Sequence, residues 1–315
     1  MRASDMTSPR TAFQLYSVRS DPDSLPDVVR RVAASGYDGV EFAHRFRREP
    51  SEEVAAALDD TGLAPAAVHA DLPTIEAALA GEDDLLERCA TVDCDRIVVA
   101  HPDSTHFHTR ESVRALADRL NDAATALDDR GVELGVHNDR RWLSPLLPGG
   151  VETLIDATPI PDGSDEYLQE ATRRLRARNA GKIPRRTPLW QLIAETDPGA
   201  VWFELDVAEL RAGGVAPTEA LSLLDDRVKM LHLRDVTPGP GLDDYESVPH
   251  GDGVVDMEGA LDVAGDADLE WLVYENELDT PPETKIDDGR RFFDRMPGER
   301  SPTNGSVSLR AQAER

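Results

Sequence analysis

The sequence predicts an α/β fold, a (β/α)8 barrel, and three observations carry that prediction. Eight short apolar runs alternate with longer amphipathic ones, the pattern of βα units on a parallel sheet. The length, 315 residues, is one that a single α/β barrel commonly fills. No G-x-G-x-x-G follows the first apolar run, whereas a doubly wound open sheet often has such a turn and usually fewer strands.

Taken in order, the predicted strands are "TAFQLY" (11–16), "DGVEFA" (38–43), "APAAVHA" (64–70), "DRIVVAH" (95–101), "GVELGVH" (131–137), "AVWFELD" (200–206), "RVKMLHL" (227–233) and "EWLVYE" (270–275). The segments between them read as helices. "DSLPDVVRRVAASG" has an Asp/Ser start and a Gly stop, and "TRESVRALADRLNDAATALDDRG" is again closed by Gly. One barrel domain is expected over residues 11–297, with residues 1–10 and 298–315 as disordered tails. The rhythm breaks between Leu143 and Arg186, a Pro- and Gly-rich stretch with one short helix candidate and a basic run from Arg173. Following the fifth strand, it would project from the C-terminal face as a lid, a subunit contact or a solvated insertion.

Acidic residues number 61 against 34 basic ones, a formal charge of −27, and only Lys182, Lys229 and Lys285 are lysines. This reads as a surface adapted to high salt, similar in composition to halophilic proteins. The same charge disfavours a nucleic-acid partner at low salt. Cys89 and Cys94 lack histidine partners at metal spacing and read as ordinary small residues of a reducing compartment. No apolar run approaches the ~20 residues of a membrane span, and the first ten residues lack a signal-peptide apolar region. A cytoplasmic location is expected.

Four successive strands finish on an ionisable or imidazole side chain: His137 in "GVHND", Asp206 in "FELDV", His232 in "LHLRD" and Glu275 in "VYENE". In a parallel barrel these ends converge on one rim. Two carboxylates and two imidazoles around one cavity suit Mn2+, Zn2+, Co2+ or Fe2+ better than Ca2+. Each residue alone has a plainer reading. Asp206 can cap the helix that follows it, and Glu275 can pair with an arginine such as Arg290. Their coincidence on consecutive strands favours a site. Glu41, His69 and His101, polar residues closing apolar runs in the first half, are candidates for the substrate pocket. His106 and His108 have His-x-His spacing on a loop, a weak metal signal.

"YDGVEFA", "VHND", "WFELDVAELRAGGVAP", "MLHLRDV", "HGDGVVDMEGAL" and "WLVYENELDTP" together resemble the xylose isomerase-like TIM-barrel superfamily. Within it they look most like the sugar phosphate isomerase/epimerase group and its inosose dehydratase-like relatives. The resemblance spans about residues 12–294 apart from the insertion. It implies one divalent metal held from strands five to eight, with Asp206, His232 and Glu275 matching the last three ligands. The first ligand departs from the family pattern: related sequences often read "YHNHxxEF", whereas "VHNDRRW" places Asp139 at the second His and Trp142 at the Glu. His137 then stands in as ligand, with Asp139 in reserve and at the substrate's edge.

The resemblance further implies proton movement beside a carbonyl of a sugar, keto-sugar or cyclitol, with Glu275 as one acid/base group. His137 opposite it would favour an asymmetric reaction, a β-elimination or one-way isomerisation. Arg234 is either a contact to substrate oxygens or an outward arginine paired at the surface. His250 lies on a long loop after strand seven and would close over the site or face solvent. Lys229, near the start of its strand, is badly placed for a Schiff base. Barrels of this kind are usually dimers or tetramers, so a homo-oligomer is expected. Two other functions compete, a sugar-binding barrel without catalysis and an endonuclease IV-like nuclease. The second needs more ligands and a basic face.

Overall fold

Eight parallel strands close into a barrel in the order β1-β10-β7-β6-β5-β4-β3-β2. They are β1 (Arg10–Gln14), β2 (Gly39–Phe42), β3 (Ala64–Ala70), β4 (Arg96–Val99), β5 (Glu133–His137), β6 (Val201–Asp206), β7 (Val228–Leu233) and β10 (Trp271–Tyr274). Between β7 and β10 lies a short antiparallel hairpin, β8 (Asp235–Pro238) with β9 (Tyr245–Val248). The structure is a computed structural model that describes residues 8–146, 181–239, 244–266 and 269–296. Most of the expected insertion, residues 147–180, and the chain ends 1–7 and 297–315 lie outside the described residues.

The helices start where short polar side chains satisfy free backbone donors. Ser24 accepts from Asp27 N at 3.3 Å and Asp71 from Thr74 N at 2.7 Å. Thr109 and Ser112 form a reciprocal pair at the head of the long helix Arg110–Asp128. Gly62, left-handed at φ 70°, ends the helix Ser51–Thr61.

Side chains alternate along each strand, and the two faces meet different surroundings. Phe203 and Leu205 of β6, Leu231 and Leu233 of β7, and Leu272 and Tyr274 of β10 belong to the layer packed under the helices. The opposite faces fill the barrel in layers. At the bottom, Trp202 and Trp271 pack with Ala12, Ala66, Val98, Met230 and Val273. Their indoles need neighbours without side chains. A Cβ on Gly135 would lie 2.5 Å from Trp202, and one on Gly39 2.6 Å from Trp271. Arg96, Glu133, Lys229 and Glu270 close the N-terminal end, where Lys229 sits 2.8 Å from Glu133.

The hairpin departs from the sequence reading, which leaves the segment after β7 as a long loop. Its base is fixed by Asp235, whose carboxylate accepts from the backbone N–H groups of Val236, Gly251, Gly253 and Val255 at 2.9–3.2 Å. That carboxylate explains the glycines of "HGDGVVD". Gly251 has φ 96°, and a Cβ on Gly253 would meet Asp235 Oδ1 at 2.1 Å.

The two-tryptophan floor yields a stability prediction. Gly135→Ala drives a methyl into the Trp202 ring, and the expected loss is about 1–3 kcal/mol. Denaturant unfolding of both proteins in concentrated KCl measures it, and an unchanged midpoint would contradict the packing described here.

Candidate functional site

Directly above the tryptophan layer the barrel interior turns polar. The inward positions following that layer are Gln14 on β1, Glu41 on β2, His69 on β3, His137 on β5, Glu204 on β6, His232 on β7 and Glu275 just after β10. Strand register places His137 beside Glu204 and Asp206 beside His232. These side chains form two groups whose potential ligand atoms lie within 4.8 Å of one another. One is His137, Asp206, His232 and Glu275; the other is Glu41, His69, Glu204 and His232. The first is the rim set read from the strand ends.

His232 joins the groups through its two ring nitrogens. Nε2 lies 2.6 Å from Glu41 and 3.1 Å from Glu204, while Nδ1 lies 3.1 Å from Glu275. His69 Nε2 lies 2.8 Å from Glu204 and 3.0 Å from Glu41. Glu41, Glu204 and His232 have no solvent exposure. Burial would push these imidazoles down, but the neighbouring carboxylates outweigh it and hold His232 well above its ordinary range and His69 up to about 10. Burial likewise acts to raise Glu41 and Glu275, but the imidazoles hold both well below the usual carboxylate range.

His137 differs. It is buried, and among the described residues no carboxylate lies within ion-pair distance and its Nδ1 has no hydrogen-bond partner. Burial and the nearby His232 push it down to about 3, so at neutral pH its nitrogen lone pair is unprotonated. An unprotonated, unpartnered imidazole nitrogen beside carboxylates is what a transition metal takes as a ligand.

Arg234 continues the inward alternation of Met230 and His232. The structure turns it into the barrel mouth, 9% exposed, and so settles its two sequence readings against the surface arginine. It reaches Asp206 at 2.9 Å, Glu209 at 2.6 Å and Glu277 at 2.6 Å, with Glu275 at 3.9 Å. Those carboxylates keep the guanidinium charged despite burial. Asp206 Oδ1 caps the following helix through Ala208 N and Glu209 N, and Oδ2 accepts two bonds from Arg234. All four lone pairs are used, so Arg234 must release Asp206 before that carboxylate can bind a metal. The charge balance favours such a cation. Among the described residues the six carboxylates of Glu41, Glu204, Asp206, Glu209, Glu275 and Glu277 have Arg234, His69 and His232 within ion-pair distance, with Arg140 3.9 Å from Glu209. The residues present therefore fit a divalent metal.

A cavity of about 500 Å3 opens above these groups, lined by His69, His101, His137, Asp139, Asp206, Arg234 and Glu275. Tyr16, His44, Arg47, Arg140 and Glu277 are among the other residues of its wall. Glu41 lies beneath the cavity and does not line it, so of the first-half candidates His69 and His101 reach its surface. Asp139 lines it while held 2.9 Å from Arg141. A larger cavity, about 1570 Å3, lies outside the barrel wall beside Leu261 and Phe292 and contains none of the site residues.

Several other candidates lie elsewhere. Trp142 is fully buried against Phe107, 5.1 Å between rings, and is part of the core. His250 Nε2 donates to Leu233 O at 2.8 Å and its ring stacks on Tyr274 at 4.3 Å, behind the barrel wall. His106 approaches Arg119 at 3.5 Å, and neither it nor His108 belongs to a ligand group among the described residues. Cys89 and Cys94 are free and buried, and burial pushes the Cys94 thiol up to about 12. Two residues of the site, Glu204 and Gln14, escaped the strand-end reading. Each lies on the inward face of its strand, Glu204 two positions before Asp206, and period-two counting finds both.

Comparison with known proteins agrees on the architecture. The family model of the xylose isomerase-like TIM barrel matches residues 29–162. A sugar phosphate isomerase/epimerase from Parabacteroides distasonis ATCC 8503 is 18% identical, with a TM-score of 0.64 over 94% of this chain and 97% of that one. The probable 3-DHS dehydratase AsbF from Bacillus anthracis is 12% identical, with a TM-score of 0.66 over 91% and 100%. The IOLI protein, solved with a zinc atom, is 13% identical, with a TM-score of 0.64 over 90% and 96%. At these identities the likeness is one of fold. No curated protein sequence matches the chain. Among the described residues no helix is long and apolar enough to cross a membrane.

Two predictions follow from the electrostatics. The raised His69 contributes stability that is complete below its unfolded value of ~6.5 and is lost as pH climbs through about 10. In EDTA, the denaturation midpoint should therefore decline between about pH 7 and 10, and His69→Gln should flatten that decline. An equal slope in the variant would show that the ion pair carries no such stability. Arg234→Met, by freeing Asp206, should lower the melting temperature in EDTA and give a larger upward shift with added Zn2+ than wild type. An unchanged zinc response would show that Arg234 does not restrain the carboxylate.

Proposed function

We propose that the chain is a divalent-metal-dependent isomerase or epimerase, or a related lyase, acting on a sugar, keto-sugar or cyclitol by proton abstraction next to a carbonyl. The observation that carries the reading is the convergence of His137, Asp206, His232 and Glu275 beneath a cavity of about 500 Å3. Fold neighbours described as a sugar phosphate isomerase/epimerase, a probable dehydratase and a zinc-bound protein support it. The acidic surface speaks against a nuclease.

His137, Asp206, His232 and Glu275 would hold the metal, with Asp139 in reserve. A divalent cation bound there supplies Lewis-acid polarisation of a carbonyl oxygen and a hold on the adjacent hydroxyl. The chain supplies the rest. Glu275 stays ionised under the influence of His232 and Arg234 and faces the cavity as a proton acceptor. From β5, His137 presents an unprotonated imidazole whose one lone pair serves either the metal or a proton, and Asp139 takes the ligand's place when His137 acts on the substrate. A carboxylate facing an imidazole makes the two proton-transfer groups chemically unequal, which favours one-way isomerisation or elimination over symmetric epimerisation. His69, His101, Asp139 and Arg234 offer hydrogen bonds to substrate oxygens from the cavity wall.

A second reading, a barrel that binds its sugar without turning it over, has one specific observation in its favour: Arg234 occupies Asp206. Solvent exchange separates the two. Protein loaded with Mn2+, Co2+ or Zn2+ is mixed with ketoses, inososes and their phosphates in D2O, and deuterium beside the carbonyl is followed by NMR. The enzyme reading expects incorporation with at least one substrate and a loss of roughly 100-fold or more in Glu275→Gln. Retained metal with no incorporation would leave the binding barrel. His137→Gln should alter the exchange pattern, and an unaltered pattern would contradict the asymmetric assignment.

A further inference from the structure

We propose that Glu41, His69, Glu204 and His232 form a second divalent-cation site, one side-chain layer below the rim group and sharing His232 with it. The four residues come from β2, β3, β6 and β7, and they meet inside the barrel with no solvent contact at Glu41, Glu204 or His232.

The carrying observation is an unmet demand at two oxygens. Each imidazole Nε2 faces one oxygen of each carboxylate, so four contacts of 2.6–3.1 Å surround the centre. A ring nitrogen carries at most one hydrogen, so protons can complete only two of them. Those two are His69 to Glu204 Oε2 and His232 to Glu41 Oε2. Glu41 Oε1 and Glu204 Oε1 are left buried without a hydrogen bond, a costly state for a carboxylate oxygen. One cation at the centre satisfies all four atoms at once.

Geometry and charge both suit it. Tetrahedral zinc with nitrogen and oxygen ligands at about 2.0–2.2 Å sets adjacent ligand atoms roughly 3.3–3.5 Å apart. The observed contacts need to open by only a few tenths of an ångström on average to reach that spacing. Two carboxylates, two neutral imidazoles and one divalent ion sum to zero charge, the condition a buried group needs. The mixed nitrogen and oxygen donors select Zn2+ or Co2+ over Ca2+ or Mg2+. Gln14 Nε2 donates to Glu41 Oε2 at 2.5 Å and orients that carboxylate from behind. A cation at His232 Nε2 leaves the Nδ1 hydrogen to Glu275, so occupation of the lower site fixes the tautomer presented to the rim. Protons and the cation compete for the same four atoms.

The test is a crystal of the full chain equilibrated with ZnCl2 alone, with anomalous difference density collected at the zinc edge. The expected peak lies between the Nε2 atoms of His69 and His232. In solution, Glu204→Gln should weaken zinc binding at that site at least tenfold, while Asp206→Asn, which touches only the rim group, should leave it in place. Density only beside His137 and Glu275, or no density in the barrel, would overturn the proposal. The wild-type crystal decides even if Glu204→Gln fails to fold. A rim group without metal would show instead as an Asp206→Asn variant with unchanged total zinc, so the two readings fail separately.

Discussion

Burial of Glu41, Glu204 and Glu275 around the single imidazole of His232 is the constraint on which the upper half of this barrel depends. Three carboxylates withdrawn from water are tolerable only if positive charge reaches them. His232 supplies it in two directions, with Nε2 toward Glu41 and Glu204 and Nδ1 toward Glu275. His69 completes the lower ring, and Arg234 performs the same service for Asp206, Glu209 and Glu277 at the rim. Removing either histidine leaves an ionised carboxylate in the interior, so these residues are structural before they are chemical.

The barrel is accordingly divided. Its lower interior is dry and rigid, with two indoles wedged over glycines, and its upper interior is charged, with positive groups in short supply. The rigid floor fixes where each strand ends, and the ends place the charged groups to within hydrogen-bond reach of one another. A metal or substrate therefore meets a preset array and need not assemble one. Net charge of −27 adds a diffuse field that draws cations toward the same mouth in dilute salt and is screened in concentrated salt.

The barrel was legible in the sequence because its signals are local. Each strand is a short apolar run, and each predicted interval overlaps a barrel strand of the structure. The rim residues were legible because they follow those runs directly, and His137, Asp206, His232 and Glu275 do assemble. Glu204 was not, since inside "VWFELD" it reads as one polar residue amid aromatics, and only its alternation with Trp202 and Asp206 reveals that it points inward. The hairpin after β7 was hidden for another reason: its strands are four residues each and its base depends on Asp235 binding glycine amides well along the chain. The partner choices of Arg234 and Glu275 are set by three-dimensional proximity across strands, which no spacing in one chain encodes. Glu275 pairs with His232 while Arg290 pairs with Asp294, and Arg234 turns inward because it continues the parity of Met230.

A metal ion that makes good the charge deficit around His232 would stabilise the fold. Thermal unfolding of wild type and His232→Gln in concentrated KCl, with EDTA or with excess ZnCl2, tests it most directly. The account predicts that zinc raises the wild-type melting temperature and that the variant, less stable in EDTA, shows little or no zinc-dependent rise. A wild type indifferent to zinc, or a variant that responds as fully as wild type, would contradict it.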